Sequence, residues 1–493
     1  MRRLVAPPNR GPGYWWSWAA TAGVAAIAAV VRLVGLAEPK GKIFDEVYYA
    51  TEAWALLQRG VEWDLEKDEV KYVVHPPLGK WLIALGEKAF GYDEFGWRIS
   101  AAVAGIVSVV LLARIGRRLF RSTVLGCAAG LLMALDGFHM VLSRVALLDI
   151  FLMLFLLAAF GALLRDRDAR RGQWLAALAS GVDAERSGPA RGLRGVPWWR
   201  LLAAVLLGAA LAVKWSALFF VPALLVMVLW WDAATYRTAG ATRPWRRALR
   251  DGLIWLPLCG LVVFAVYLAS WSGWLLSDDG YYRHWLASEG RSEPAVVGAL
   301  QNLLHYHQEA LNFHSGLSSK HTYQSWPWQW LLLGRPVAFY WSGDGPCGAA
   351  SCAAEVLLLG TPLLWWSFLP ALGALTWLGV ARRDWRAGAI GLGVAAGLLP
   401  WFYYAFQSRT MFSFYALPSL PFLVLAVCYV IGALIGRAGT DEAPARRRVG
   451  AVVAGAYVLA VAVCFAWYYP VFVGTPIPYE DWQLRMLLGD RWV

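Results

Sequence analysis

Residues 15–50, WWSWAATAGVAAIAAVVRLVGLAEPKGKIFDEVYYA, set an apolar stretch, Trp15–Leu36, shortly before an adjacent pair of acids, Asp45 and Glu46. About 20 mainly apolar residues suffice to cross a bilayer as a helix. The stretch is also long for the core of a cleavable signal, so it reads as a retained first span. Working outward, the same pattern recurs. About eleven apolar segments qualify, near 15–36, 97–116, 122–138, 145–164, 200–215, 216–235, 252–274, 356–380, 387–406, 411–435 and 449–469. A single helix over 200–235 would be too long, so a break is expected near Lys214.

Composition agrees. Of 493 residues, 59% are hydrophobic and 16% charged, against about 25% charged in soluble domains. This excludes a disordered chain, a soluble multidomain enzyme and a disulfide-stapled secreted domain. A transporter, a channel or a membrane-embedded enzyme remains. The net charge of +12 needs no nucleic-acid partner, because cytoplasmic loops of membrane proteins collect Lys and Arg. With a cytoplasmic N-terminus, that side receives Arg2, Arg3 and Arg10, then Arg114–Arg121, Arg165–Arg200, Arg237–Arg250, Arg382–Arg386 and Arg437–Arg448. The acid-rich segment 37–96, the segment 275–355 and the C-terminal tail fall outside.

The expected architecture is an all-α polytopic protein of the cell membrane, with amphipathic helices lying on the surface in its outer loops. Its parts are a cytoplasmic N-terminus (1–14), a first transmembrane module (15–274, including outer loop 37–96), a large outer loop (275–355), a second transmembrane module (356–469) and an outer tail (470–493). Segment 165–200, rich in Arg, Gly and Ala, reads as a loose loop. Cys127, Cys259, Cys428 and Cys464 lie in apolar runs as packing residues. Cys347 and Cys352 sit in a polar loop and are a candidate disulfide if that loop meets an oxidising compartment; two free thiols are the alternative.

Several motifs carry possible chemistry. Neighbours on a helix point about 100° apart, so Asp45 and Glu46 would face different targets. Acids favouring a helix N-terminus are the simpler reading. His75-Pro76-Pro77 is a rigid turn leading into an amphipathic helix that contains Lys80. Arg144 and Asp149 flank the outer end of the fourth span. Arg32, Arg144, Lys214 and Arg409 all fall at outer helix ends. Each alone would snorkel to headgroups; together they form an anion site at the depth of a lipid-linked phosphate. His305, His307, His314 and His321 do not share a helical face, so no metal site is expected.

Taken in order, these motifs resemble the protein O-mannosyltransferases, in particular their actinobacterial branch. The matching residues are Arg32, Asp45-Glu46, His75-Pro76-Pro77-Leu78-Gly79-Lys80, Ser143-Arg144 through Leu148-Asp149, Val213-Lys214-Trp215, the HYHQE…NFH loop, and Arg409 with Phe414-Tyr415-Ala416-Leu417-Pro418. The resemblance implies a GT-C glycosyltransferase fold with eleven spans. Eukaryotic relatives carry a β-trefoil domain in the large outer loop, for which this chain has no room. The implied reaction moves mannose from a polyprenyl-phosphate-mannose lipid to Ser or Thr hydroxyls of secreted or membrane proteins, outside the cell and with inversion. Inversion in one step asks for one carboxylate base, here Asp45, with Glu46 orienting the acceptor or the sugar. Phosphate departure asks for cations: Arg409 and Lys214 first, Arg144 supported by Asp149, and Arg32. His75 and Lys80 would line the acceptor groove. No cofactor is required; a divalent metal ion is permitted but not indicated. The rival readings are a related transferase acting on glycolipid or polysaccharide, and a transporter or flippase, which would show inverted repeats.

Overall fold

A computed structural model describes Leu4 and residues 13–183, 195–436 and 444–492. Arg2, Arg3, Arg10 and Arg437, assigned above to the cytoplasmic side, lie outside these residues.

The first apolar stretch forms α1 (Tyr14–Leu33). The acid-rich segment after it folds into two amphipathic helices, α2 (Glu46–Arg59) and α3 (Leu78–Phe90), joined through a small hairpin, β1 (Trp63–Asp64) with β2 (Glu69–Val70). Next come α4 (Glu94–Phe120), α5 (Thr123–Ala134) and the short α6 (Gly137–Leu142). Each starts where an Asp93, Ser122 or Asp136 side chain accepts a backbone N–H of the first turn, a favourable N-cap. The chain continues through α7 (Asp149–Ala179), α8 (Trp198–Val213), α9 (Phe220–Ala239) and α10 (Pro244–Ser270). Two short helices, α11 (Ser272–Leu276) and α12 (Trp285–Ser288), precede α13 (Ala295–Gly316) and α14 (Pro327–Trp330). Strands β3 (Val337–Ser342) and β4 (Cys352–Leu358) lead into α15 (Pro362–Arg382), α16 (Trp385–Phe406), α17 (Leu420–Ile435) and α18 (Pro444–Val473). The tail adds β5 (Ile477–Pro478) and α19 (Tyr479–Gln483).

Every apolar segment picked from the sequence contains a helix. By length and composition, eight helical runs among the described residues can cross a membrane, and α5 and α8 are apolar but shorter. The protein is therefore a multi-pass membrane protein. α17 is almost wholly buried, whereas α10 and α18 keep most of their apolar surface outward, as lipid-facing helices do.

Two expectations need correction, and one open choice is settled. Segment 165–200 is helical in its first part: α7 runs on to Ala179, where Arg118 and Arg200 reach its acids, Asp168 and Asp166, at 2.7 Å each; residues 184–194 of the expected loop lie outside the described residues. Residues 356–358 belong to a strand rather than a span. They complete β4, whose residues are all buried and which pairs antiparallel with β3 and with β5. The fold is mostly helical, with this small sheet and the β1–β2 hairpin beside the helices. Cys347 and Cys352 are joined, and the disulfide closes the β3–β4 hairpin.

One close approach organises the site. A Cβ at Gly79 would stand 2.7 Å from Leu148 Cδ2 and 3.2 Å from Val213 Cγ1. Only glycine lets the start of α3 press against the residues just before Asp149 and Lys214. Farther along α3, Glu87 is buried and neither carboxylate oxygen has a partner. Burial pushes its pKa from 4.5 up to about 8, against a small opposing pull from Lys42. In the unfolded chain the group ionises near its ordinary value, while in the fold it stays protonated. Its contribution to stability is therefore full below about pH 4.5 and declines as pH rises towards 8. Glu87→Gln is expected to flatten that decline, as unfolding temperature measured against pH will show.

Candidate active site

Asp45 is the N-cap residue of α2, yet its side chain does not cap the helix. Among the described residues the carboxylate has no hydrogen-bond or ion-pair partner. Phe44, immediately before it, adopts φ 48°, a left-handed conformation that is strained for a bulky side chain. Its ring stacks on Phe339 at 4.3 Å and meets Phe414 edge-on at 6.0 Å. That packing fixes where Asp45 emerges. Burial raises the Asp45 pKa to about 6; Lys214 opposes the rise, while Asp149 and Glu52 add to it. The group is ionised at neutral pH and more basic than an ordinary aspartate.

Glu46 does not share this environment. Its oxygens take two bonds from Arg98, both 2.8 Å, and the backbone N–H groups of Ile43 and Ala146, both 3.0 Å. Both side chains of the pair are 0% exposed. The expected contact with acceptor or sugar is therefore corrected: Glu46 is spent on holding the loop between α1 and α2 against α4 and the chain entering α7.

The helical run breaks at Lys214 as expected. Its backbone is extended at φ −151°, ψ 138°, between α8 and a 3-10 turn, Trp215–Phe219. Non-helical backbone at membrane depth is tolerated where it lines a protein-enclosed cavity. Lys214 Nζ donates to Asp149 at 2.7 Å and lies 5.7 Å from the rings of Phe414 and Tyr415. Asp149 thus supports Lys214, not Arg144. Arg409 approaches Tyr415 from elsewhere, its guanidinium 5.8 Å from the same ring. Its Nε donates to the His314 carbonyl at 2.9 Å and its Nη1 weakly to the Thr410 carbonyl at 3.4 Å. Lys214 and Arg409 therefore flank one aromatic ring.

The other cations do not join them. Arg144 donates to the carbonyls of Arg32, Val34 and Gly35 at 2.6–2.8 Å, capping the C-terminal end of α1. Arg32 is buried and donates to His139 Nδ1 at 2.7 Å and to two backbone carbonyls. Lys80 is fully buried, 2.6 Å from Glu62 and 3.7 Å from Glu52. All three were expected to meet donor or acceptor. Buried in existing bonds, they hold the framework instead.

His75 does reach the site. Its ring lies 5.1 Å from that of His314 and 6.2 Å from that of Tyr49. Nδ1 is buried without a partner. Burial, with Lys214, His314, Lys80 and Arg409 nearby, keeps its pKa well below the usual range. His314 is likewise lowered by burial and by Arg409 and Lys214. Both rings are neutral at pH 7, suited to hydrogen bonding rather than to charge. Helix α13 positions them: Tyr306 Oη donates to the Val73 carbonyl at 2.6 Å and His314 Nε2 bonds the Val74 carbonyl at 2.9 Å. Other loop histidines have separate duties, His305 stacking on Trp285, His307 bonding Tyr267 and His321 meeting the Phe412 ring edge-on.

Sequence reasoning missed Tyr49, Tyr415 and the ring of His314 as site residues. Tyr49 was findable, since it lies four residues after Asp45 and so on the same helical face. Tyr415 and His314 carry no such local signal, because their approach depends on tertiary packing.

Comparison with known proteins bears on the whole chain. Residues 74–182 match the family model described as dolichyl-phosphate-mannose-protein mannosyltransferase, and residues 299–492 match the C-terminal four TMM region of protein-O-mannosyltransferase. The polyprenol-phosphate-mannose–protein mannosyltransferase of Mycolicibacterium smegmatis is 42% identical, over 98% of this chain and 95% of its own length. The Mycobacterium tuberculosis enzyme of the same name is 40% identical, over 96% and 91%. Among solved structures, the S. cerevisiae protein O-mannosyltransferase Pmt1-Pmt2 complex bound to the sugar donor superposes with a TM-score of 0.73 at 16% identity, over 100% of this chain and 94% of that one. The fold is that of the GT-C enzymes. Matched along nearly its full length at this identity, the chain belongs to the polyprenol-phosphate-mannose–protein mannosyltransferase family.

Proposed function

We propose that the protein transfers mannose from a polyprenyl-phosphate carrier to Ser or Thr hydroxyls of polypeptides, at the membrane face away from the cytoplasm. The observation that carries this reading is one unpartnered, elevated-pKa carboxylate, Asp45, close enough to Lys214 to feel its charge, while Lys214 and Arg409 flank the Tyr415 ring. The acceptor oxygen forms its bond to the anomeric carbon as the bond to phosphate oxygen breaks. The hydroxyl proton passes to Asp45, and the electron pair leaves with the phosphate. Lys214 and Arg409 stabilise the charge growing there. A single displacement with one base inverts the anomeric carbon. Neutral His75, with its free Nδ1, orients a hydroxyl of the acceptor or sugar. No step requires a metal ion beyond these side chains. The charge pattern supports a cytoplasmic N-terminus and eleven crossings, with α5, α7 and α8 added to the eight strongly apolar runs. The reading is tested by purified protein supplied with polyprenyl-phosphate-mannose and a Thr-rich peptide: a gain of one hexose on the peptide is expected, and an unmodified peptide contradicts it.

Arg409→Ala removes one charge-assisted contact to phosphate, worth about 1.5–3 kcal/mol. Donor affinity should fall by about ten- to a hundredfold, measured by titration of the purified variant with polyprenyl-phosphate-mannose. Unchanged affinity would remove Arg409 from the donor site.

A further inference from the structure

At the helix ends farthest from Asp45, between α4, α5, α7, α9 and the ends of α15–α18, lies a cavity of about 1670 Å³. Among the described residues, eight arginines and two aspartates line it. Neither acid is available to balance the excess. Asp168 already accepts from Arg118 at 2.7 Å and Arg167 at 3.1 Å. Asp384 is engaged through both oxygens by Arg386 and also accepts from Tyr429. Three of the lining arginines, Arg382, Arg383 and Arg447, have no hydrogen-bond or ion-pair partner among the described residues, and Arg447 Nε is buried in that state. Arg447 also sits in the first turn of α18.

Membrane topology requires basic residues in loops. It does not require guanidinium groups gathered round a recess between spans. The recess is amphiphilic: Leu125, Trp230 and Ile435 give it apolar walls beside the cationic rim. Basic pockets between membrane helices on one leaflet accept lipid headgroups.

We infer that this cavity binds the phosphate headgroup of an anionic membrane phospholipid, with its acyl chains against the apolar wall and its phosphate among Arg382, Arg383 and Arg447. The site lies at the opposite ends of the helices from Asp45 and serves as a lipid anchor independent of mannose transfer. Its ligand is a phosphate ester. A free inorganic anion offers the same charge but leaves the apolar wall uncovered.

The test uses the full chain, delipidated in detergent and returned to phosphatidylcholine with or without phosphatidylglycerol. Native mass spectrometry is expected to find phosphatidylglycerol retained by the wild type, with a raised unfolding temperature. In the triple variant Arg382→Gln, Arg383→Gln, Arg447→Gln, retention should fall about a hundredfold, while mannose transfer in phosphatidylcholine remains. The single variant Arg447→Gln should show a partial loss of about fivefold. Equal retention by wild type and variants would overturn the site. Protection of the wild type by inorganic phosphate alone, with no gain from phosphatidylglycerol, would overturn the lipid assignment.

Discussion

Asp45→Asn is expected to lower the rate of mannose transfer by about a hundred- to ten-thousandfold, the usual worth of a positioned proton acceptor. The substitution keeps the side chain's shape and removes only its ability to take a proton. The fold should tolerate it well. The Asp45 side chain makes no bond that the structure depends on, and burial together with Asp149 and Glu52 already disfavours its charge. Unfolding temperature at neutral pH should therefore hold or rise while single-turnover transfer collapses. Retention of the wild-type rate would remove Asp45 from the mechanism.

The neighbouring acid should behave in the opposite manner. Glu46→Ala leaves Arg98 buried without its ion-pair partner, and breaking such a pair costs about 3–5 kcal/mol. Some of that is recovered because Arg98 also reaches the carbonyls of Leu36, Pro39 and Gly41. The unfolding temperature should drop sharply, and the yield of folded protein with it. Transfer per folded molecule should fall far less than in Asp45→Asn. A variant that keeps its unfolding temperature but loses transfer per folded molecule would return Glu46 to the substrate side of the loop. Two adjacent carboxylates thus separate cleanly by readout, one kinetic and one thermodynamic.

Much of the fold was legible because lipid imposes a simple rule on sequence. Each apolar run needed only length and composition to be found, and the break at Lys214 followed from an overlong segment containing a charge. The strand at Cys352–Leu358 was not legible, because a short buried apolar run reads the same as the start of a helix. The site divides along a similar line. Asp45, His75, Lys214 and Arg409 were visible as polar residues at helix ends. So were Arg32, Arg144, Lys80 and Glu46, and sequence could not separate the two groups. What distinguishes them is whether a partner already occupies the charge. Arg144 meets the carbonyls that end α1, and Glu46 meets Arg98 across more than fifty residues of chain. Such pairings are tertiary facts with no periodic trace.

The most direct test of the account is the pH dependence of a single mannose transfer by the purified protein. If Asp45 takes the acceptor proton, the rate should plateau above about pH 6 and fall roughly tenfold for each unit below it, following protonation of that carboxyl. Asp45→Asn should lose that limb along with the rate. A wild-type rate that stays level through this range, or a variant with the same profile, would contradict it.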